Sequence, residues 1–204
     1  MSRYTWLLDP GHGGFIDGVY QTAGKRSPMF PDGSQVFEGE FNRDIVRRII
    51  DLSDRKTKVV NLVNTEKDVS LRARVTEANR IHRERKNCVY VSIHANAFGN
   101  GKDFNNAKGI CTFHHTKSSK GKVLAQCLQK WLVDLTPFRD RGVIANERWA
   151  NFYVLRKTHM PAILSENGFM TNYDDAKYLM DPEVRQLIAN AHYNMMLEID
   201  ENGI

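Results

Sequence analysis

Short apolar runs alternate with amphipathic stretches along most of the chain. The runs that predict strands are rich in β-branched and aromatic residues, and they cover residues 4–9, 59–64, 88–94, 109–115, 152–156 and 161–165. Apolar positions at helical spacing predict helices over residues 38–55, 70–85, 120–135 and from 182 to about 198. Strands that alternate with helices are typical of a mostly parallel sheet with helices on both faces. The pattern therefore predicts an α/β fold, with residues 1–204 forming one domain around a mostly parallel, mixed and twisted sheet.

Two segments interrupt this pattern and predict loops. Residues 10–36 are rich in Gly, Pro, Asp and Ser, and residues 97–108 are rich in Gly and Asn. The longer segment is of a length that usually carries function in a compact domain. Ser70 and Asp181 stand directly before two of the predicted helices, where they are suited to be N-caps.

The bulk composition is that of an ordinary folded domain. The 204 residues are 41% hydrophobic and 26% charged, which is enough apolar material for a complete core. The formal net charge of +5 suits an acidic partner such as a nucleic acid, a membrane surface or an anionic wall polymer, and it suits simple solubility equally well. Three cysteines, Cys88, Cys111 and Cys127, stand apart in apolar stretches, which predicts buried free thiols.

The first residues, MSRYTWLLDPG, lead directly into the first predicted strand. They lack the apolar core and the small-residue cleavage site of a signal peptide. No apolar run approaches the ~20 residues of a membrane-spanning helix. Aromatic motifs that read nucleic acids are missing too. We therefore expect a protein made in the cytoplasm, without membrane insertion and without a nucleic-acid partner.

Three polar residues stand at the carboxyl ends of predicted strands. His12 follows the first strand in a Gly-rich turn, His94 ends the run 88–94, and Glu166 follows the run 161–165. In open α/β sheets, ligands bind outside the carboxyl ends of the strands. Each residue also has an ordinary structural alternative: an incidental turn histidine, a hydrogen-bonded core histidine and a cap partner, respectively. A carboxylate at a mostly buried strand end is costly unless it is paired or active, which favours function.

The first predicted helix opens with two more carboxylates, Glu38 and Glu40. Positions two apart on a helix point about 200° away from each other, so only one of them can face such a site. Either could instead simply complement the positive end of the helix. Asp9 is either a hydrogen-bond acceptor for the second ring nitrogen of His12 or a turn-capping residue before Pro10. The residues alone leave both choices open.

Two imidazoles and a carboxylate are a typical protein ligand set of a catalytic zinc site, which keeps one position open. A second carboxylate beside the metal can act as general base and general acid. The pattern therefore indicates a metal-assisted hydrolase.

Four motifs follow one another along the chain: LLDPGHGG (7–14), a glutamate four residues before an asparagine (Glu38 and Asn42), SIHANA (92–97) and LSENGFMTN (164–172). Together they resemble the zinc-dependent N-acetylmuramoyl-L-alanine amidases, a family that includes bacterial autolysins and phage endolysins. The stretches VSLRARVTEAN (69–79) and AKGICTFHH (107–115) match in kind. The resemblance therefore covers essentially the whole chain.

The resemblance implies zinc ligands at His12, Glu38 and His94 and a catalytic glutamate at Glu166, and so it favours Glu38 over Glu40. Two departures bear on substrate preference. Asn167 stands where the family usually has a hydrophobic residue or serine, and the segment between His12 and Glu38 is longer than in the shortest members.

Other polar residues near the motifs receive no catalytic role from the resemblance. His114 and His115 are interpreted as strand residues, one of them lining the groove. Arg141 is a candidate contact for the anionic stem peptide, although an ordinary loop arginine is the favoured interpretation.

The implied activity is hydrolysis of the amide between the lactyl group of N-acetylmuramic acid and L-alanine in peptidoglycan, with Zn²⁺ as cofactor. The expected setting is a monomeric phage endolysin that acts on the cell wall after release by a phage membrane protein. The alternatives are a zinc peptidase or deacetylase of the same fold, and a basic, non-catalytic wall-binding module. A structural zinc site would need a fourth Cys or His ligand, which these motifs do not offer.

Overall fold

The computed structural model describes residues 2–53, 57–147 and 151–204. In chain order the elements are β1 (Thr5–Pro10), β2 (Phe15–Ile16), β3 (Val19–Tyr20), α1 (Glu38–Leu52), β4 (Lys58–Asn61), α2 (Leu71–Arg85), β5 (Cys88–Asn96), β6 (Ile110–His115), α3 (Ser119–Leu135), β7 (Asp140–Asn146), α4 (Tyr153–Lys157), β8 (Ala162–Phe169), α5 (Tyr173–Met180) and α6 (Pro182–Asn202). The large sheet has the order β4-β1-β5-β8-β6-β7, and β2 pairs with β3 in a small separate ladder. Neighbours in the large sheet are parallel except β6 and β8, which are antiparallel. The predicted mixed, mostly parallel sheet is confirmed.

Hydrophobic cores cover both faces of this sheet. Val89, Val91 and Ile93 of β5 point to one face, where α1, α3, α5 and α6 pack. Cys88 and Tyr90 point to the other face, where α2 and α4 pack. Alternate residues of a strand point to opposite faces, so two covered faces bury every residue of β1 and β8. The predicted placement of helices on both faces is confirmed.

Two helices begin where side-chain capping predicts. Ser70 Oγ accepts a hydrogen bond from the backbone N–H of Ala73 at 3.2 Å. Asp181 Oδ1 accepts one from the N–H of Glu183 at 2.8 Å, and Pro182 occupies the first turn of α6. These contacts satisfy N–H groups that the helix itself leaves unpaired, which confirms both N-caps.

The predicted strand at residues 152–156 is wrong, because Tyr153–Lys157 forms helix α4. A short apolar run fits a helix or a strand equally well by its pattern alone. The consecutive residues Val154 and Leu155 are both buried in the same core. A helix permits this, whereas a strand would send one of them to the opposite face.

The pattern also misses an edge strand and a short helix. Strand β7 is mostly exposed or half-buried and begins with Asp140, Arg141 and Gly142, which conceals its strand character. Helix α5 has 8 residues, too few for a clear helical period. Strand β8 continues beyond the predicted end at residue 165, so Glu166 lies within the strand rather than after it.

No helix in the described segments is both long enough and apolar enough to cross a membrane. Cys88 and Cys111 are buried free thiols, and Cys127 is a half-buried one. The prediction of free cysteines is confirmed.

Candidate metal centre

The turn after β1 places His12 at the carboxyl edge of the sheet. His12 has a φ of 64°, in the left-handed region that residues other than glycine rarely adopt. A Cβ at Gly11 would collide with the ring of His94, and a Cβ at Gly13 would lie 2.9 Å from the backbone nitrogen of Asp68. Because Gly11 has no Cβ, the chain can pass directly beside the ring of His94. Gly13 in the same way lets it pass close to the backbone at Asp68.

His12, Glu38 and His94 form one cluster, which we call the metal triad. Glu38 Oε1 lies 3.2 Å from His12 Nε2 and 2.9 Å from His94 Nδ1. One ligand-type atom from each residue lies within 4.8 Å of the other two. The second oxygen of Glu38, Oε2, is buried without a hydrogen-bond partner among the described residues. Since buried oxygens are normally paired, this one fits a ligand reserved for a cation. The metal triad could hold a metal ion.

The ionisation of Glu38 suits this role. Burial by itself raises the pKa of Glu38, but hydrogen bonds with His12 and His94 outweigh it and hold the pKa well below its usual range. The N–H of Ala95 also donates to Oε1 at 3.3 Å. Glu38 is therefore a carboxylate at neutral pH, which is the form that binds a cation.

Glu40 lies on another side of α1 and binds a different group. Its two oxygens accept hydrogen bonds from Nη1 and Nη2 of Arg185 at 2.9 and 3.0 Å. The helical turn separates positions 38 and 40 in this way. The structure thus brings Glu38, and not Glu40, to both histidines.

Glu166 lies beside the metal triad on the neighbouring strand, because it is the register partner of His94 between β5 and β8. Its side chain is 8% exposed, and Oε2 has no hydrogen-bond partner within the described ranges. Burial and the charge of Glu38 raise the pKa of Glu166 well above its usual range, while the charge of Lys25 opposes this rise. A buried carboxyl group with a raised pKa is suited to accept and return a proton.

Asp9 lies in a separate buried group beneath the turn. It accepts hydrogen bonds from Arg74, from the Tyr90 hydroxyl and from Ser92 Oγ. We call these four residues the Asp9 cluster. Both sequence-based roles of Asp9 are wrong, because these donors occupy its carboxylate, whereas Arg74 reaches the carbonyl of His12 at 3.0 Å. Through Arg74 the Asp9 cluster therefore binds the backbone of the turn after β1, and not the imidazole of His12.

The many arginines of α2 would be expected to form a solvated outer face of the helix. Arg80 agrees with that expectation, since it is exposed and pairs with Glu77 and Glu84 along the helix. Arg74 does not, because its side chain is 2% exposed. A buried guanidinium needs hydrogen-bonded partners, and Asp9 and nearby backbone carbonyls provide them.

Asn167 is fully buried, so the expectation that it bears on substrate preference does not fit its placement. Its Nδ2 donates to the carbonyl of His94 at 2.9 Å and to Ser165 Oγ at 3.1 Å. Ser165 Oγ in turn lies 3.0 Å from Nε2 of His192 on α6. Asn167 therefore ties the strand that carries His94 to the strand that carries Glu166.

His114 and His115 lie far along the sheet from the metal triad. Strand β6 runs antiparallel to β8, so its carboxyl end is at the opposite edge. The expectation that one of these histidines lines the groove is wrong for this reason. Arg141 lies on β7, with its guanidinium 5.0 Å from the ring centroid of Phe169 and a hydrogen bond to the carbonyl of Lys108 at 3.3 Å. These contacts agree with an ordinary structural arginine.

Two cavities meet at the metal triad, and His12 and His94 line both. The Glu166 cavity, of about 250 Å³, also contains Lys25. The Asp68 cavity, of about 340 Å³, lies on the side of α2. Sequence reasoning missed Lys25, because it stands in a polar loop where no periodicity or motif marks it.

Comparisons with known proteins point to one family. A cell wall amidase of Bacillus anthracis is 34% identical, with 97% of this chain and 35% of the relative covered. The endolysin of Bacillus phage SPP1 is 30% identical, with 98% of this chain and 66% of the relative covered. The chain thus spans between 35% and 66% of the length of these two relatives. The crystal structure of an N-acetylmuramoyl-L-alanine amidase from Clostridium difficile 630 is 29% identical, with a TM-score of 0.79 and 100% of both chains covered.

The family profile described as N-acetylmuramoyl-L-alanine amidase matches residues 7–198, which is nearly the whole chain. This match includes all three residues of the metal triad and Glu166. The chain therefore belongs to the N-acetylmuramoyl-L-alanine amidase family.

Proposed function

We propose that this chain is a zinc-dependent amidase that hydrolyses the bond between the lactyl group of N-acetylmuramic acid and L-alanine in peptidoglycan. The observation that carries this proposal is the meeting of the metal triad and Glu166 in one cavity. Family membership supports the substrate class, and the arrangement of the side chains supports the chemistry.

His12, Glu38 and His94 would hold the zinc ion. Two imidazole nitrogens and one carboxylate oxygen form a ligand set that catalytic zinc sites use. When bound, zinc supplies a Lewis acid that polarises the scissile carbonyl and favours deprotonation of the attacking water. The unpaired Oε2 of Glu38 and the cavity above the triad support a catalytic site rather than a closed structural one.

Glu166 would transfer the proton. Its carboxylate accepts a proton from the attacking water and then delivers it to the alanine nitrogen as the amide bond breaks. The buried position beside His94 holds the carboxyl group close to the reacting atoms. Its raised pKa lets it keep the proton until the leaving nitrogen needs it.

The test combines metal analysis with mass spectrometry of digested peptidoglycan. We expect zinc bound to the purified protein, new free amino groups on L-alanine and no new reducing sugars. His12→Ala and His94→Ala should lose metal and activity together. New amino groups within the stem peptide would instead indicate a peptidase, and released acetate a deacetylase. Binding to walls without any cleavage would indicate a non-catalytic module.

The biological setting is a further part of this proposal. Similarity to a phage endolysin supports action on the host cell wall after release by a phage membrane protein. We infer that the chain acts as a monomer, because one chain supplies the metal triad and Glu166. Lysis of cells that express this chain only when a membrane-permeabilising protein is also present would support this setting.

A further inference from the structure

The two cavities beside the metal triad differ in their charged groups. The Glu166 cavity contains Lys25 together with the aromatic side chains of Phe152 and Tyr153. The Asp68 cavity is lined by the carboxylates of Asp9 and Asp68 and by the guanidinium of Arg74, which is paired with Asp9. Of the two cations, Arg74 is buried and paired, whereas Lys25 is exposed.

Lys25 is held in place by its backbone. Its carbonyl accepts hydrogen bonds from the N–H of Glu38 and from the Tyr20 hydroxyl, both at 2.9 Å. Its own N–H donates to the carbonyl of Thr22, also at 2.9 Å. The residue is thus fixed against the first residue of α1, which belongs to the metal triad.

The side chain of Lys25 is free to bind a ligand. It is exposed and has no hydrogen bond or ion pair with the described residues. Its positive charge nevertheless acts on Glu166, since it opposes the rise in the pKa of that carboxyl. Lys25 therefore presents, beside the reacting groups, a cation that forms no ion pair with the described residues.

The role of Glu166 defines which side of the substrate lies near Lys25, and this step rests on the proposed function. Glu166 delivers a proton to the alanine nitrogen, so the leaving peptide lies in the Glu166 cavity. The muramoyl side then lies toward the Asp68 cavity.

We propose that Lys25 binds a carboxylate of the stem peptide, carried by the residue that follows L-alanine. In peptidoglycan that residue is a D-glutamate linked through its side chain, so its α-carboxyl group is either free or amidated. A lysine ammonium pairs with the free carboxylate and gains much less from the neutral amide. Lys25 thus makes the enzyme sensitive to the charge of the stem peptide.

The experiment compares two muramyl peptides that differ only in this α-carboxyl group, which is a carboxylate in one and a carboxamide in the other. We would measure kcat/KM for the wild type, Lys25→Met, Lys25→Glu and Lys25→Arg. The anchoring contacts use backbone atoms of Lys25, so these substitutions leave them in place. Lys122→Glu, on the exposed side of α3, is the control for the same change of charge.

The wild type should favour the carboxylate peptide about three- to fivefold. Lys25→Met should lose this preference, with a larger loss of kcat/KM on the carboxylate peptide than on the carboxamide peptide, and Lys25→Glu should reverse it. Lys25→Arg and Lys122→Glu should both keep it. Equal losses on both peptides, or an unchanged preference in Lys25→Met, would overturn the role of Lys25. Cleavage of neither peptide by the zinc-loaded wild type would refute the proposed function itself, and this inference with it.

Discussion

Two carboxylates are buried at the same edge of the sheet, and their surroundings are opposite. Asp9 is 1% exposed and accepts hydrogen bonds from Arg74, Tyr90 and Ser92. Glu166 is 8% exposed, and one of its oxygens has no partner in the described part of the chain. Both oxygens of Asp9 are hydrogen-bonded, whereas Glu166 keeps an oxygen that can bind a ligand, at a cost in stability. The comparison separates a carboxylate whose partner Arg74 also binds the turn of His12 from a carboxylate that lies beside the metal triad with an oxygen free of described partners.

The nearest charges explain the difference. Arg74 of α2 binds Asp9 and also donates to the carbonyls of Pro10 and His12, so the Asp9 cluster holds the turn that presents His12. At Glu166 the largest influence after burial is the like charge of Glu38, which raises the pKa of Glu166. One carboxylate is therefore held by a guanidinium and two hydroxyls, whereas burial and a like charge raise the pKa of the other.

Glu166→Gln tests the working carboxylate and should have the largest effect. The substitution keeps the size of the side chain but removes its ability to transfer a proton. We expect kcat to fall about 10²–10⁴-fold, which is the usual contribution of general acid–base catalysis. Metal content should stay at the wild-type level. The free energy of unfolding at neutral pH should not decrease, because a buried group without partners has been replaced by a neutral one. Turnover of a muramyl peptide, metal analysis and urea unfolding would measure these three quantities.

The control for this prediction is Asp9→Asn, which removes the other buried charge. It should lose stability, because the guanidinium of Arg74 then lacks its counter-ion. Wild-type turnover in Glu166→Gln with full metal content would contradict the role of Glu166. A stability loss in Glu166→Gln as large as that in Asp9→Asn would contradict the comparison.

Arg74→Met tests the Asp9 cluster by removing its cation instead of its carboxylate. The substitution leaves the Asp9 carboxylate buried without its cation, which typically costs about 3–5 kcal/mol of unfolding free energy. Urea unfolding of the metal-free protein would measure this loss. Arg80→Met, on the exposed side of the same helix, is the matched control and should have little effect. Similar losses in both variants would show that the Asp9 cluster has no special role.

Much of the sheet and the positions of the candidate site residues could be predicted from local patterns. The apolar run at 88–94 and the helix at 120–135 show clear patterns, because the strand is buried as a whole and the helix buries one face. His12 and His94 could be assigned to the site because they follow apolar runs and lie in family-like motifs. These inferences needed only neighbouring residues.

The structural features that the sequence pattern does not predict depend on residues far away along the chain. Arg74 resembles the other arginines of its helix, and its burial follows from Asp9, which lies 65 positions away. The apolar pattern at residues 152–156 predicts a strand, because five residues are too few to define a period, whereas tertiary packing makes Tyr153–Lys157 a helix. Lys25 has no local signal at all, because backbone contacts with Glu38 place it beside the metal triad.

His192 shows what happens when a partnered buried group gains a charge. Burial lowers the pKa of His192 to about 4, although the hydrogen bond to the carbonyl of Ile188 opposes this. The unfolded chain binds a proton at its ordinary pKa of about 6.5. Between these values the unfolded state holds more protons, so stability falls as the pH decreases from 6.5 toward 4, by about 3 kcal/mol in total. Urea unfolding of the metal-free protein across this range would measure the fall.

The control for this pH dependence is His192→Gln, which cannot gain a proton in this range. Its stability should decrease less between pH 6.5 and pH 4 than that of the wild type. Parallel curves for the two proteins would mean that His192 makes no such contribution. Since Ser165 Oγ connects His192 to Asn167, loss of stability here would also loosen the strand that carries Glu166.

Glu40→Gln should have the smallest effect, and it separates two glutamates that the sequence could not distinguish by chemistry alone. Glu40 is 36% exposed and pairs with Arg185, so its loss should cost less than about 1 kcal/mol in unfolding free energy. Metal content and turnover should remain at wild-type levels. Glu38→Gln, two positions away on the same helix, should bind metal much more weakly, because a neutral amide is a poorer ligand than the carboxylate between His12 and His94. Zinc titration of both variants would measure the difference. Equal zinc affinities in the two variants would show that Glu38 is not a metal ligand. The contrast between the buried carboxylates would then be limited to Asp9 and Glu166.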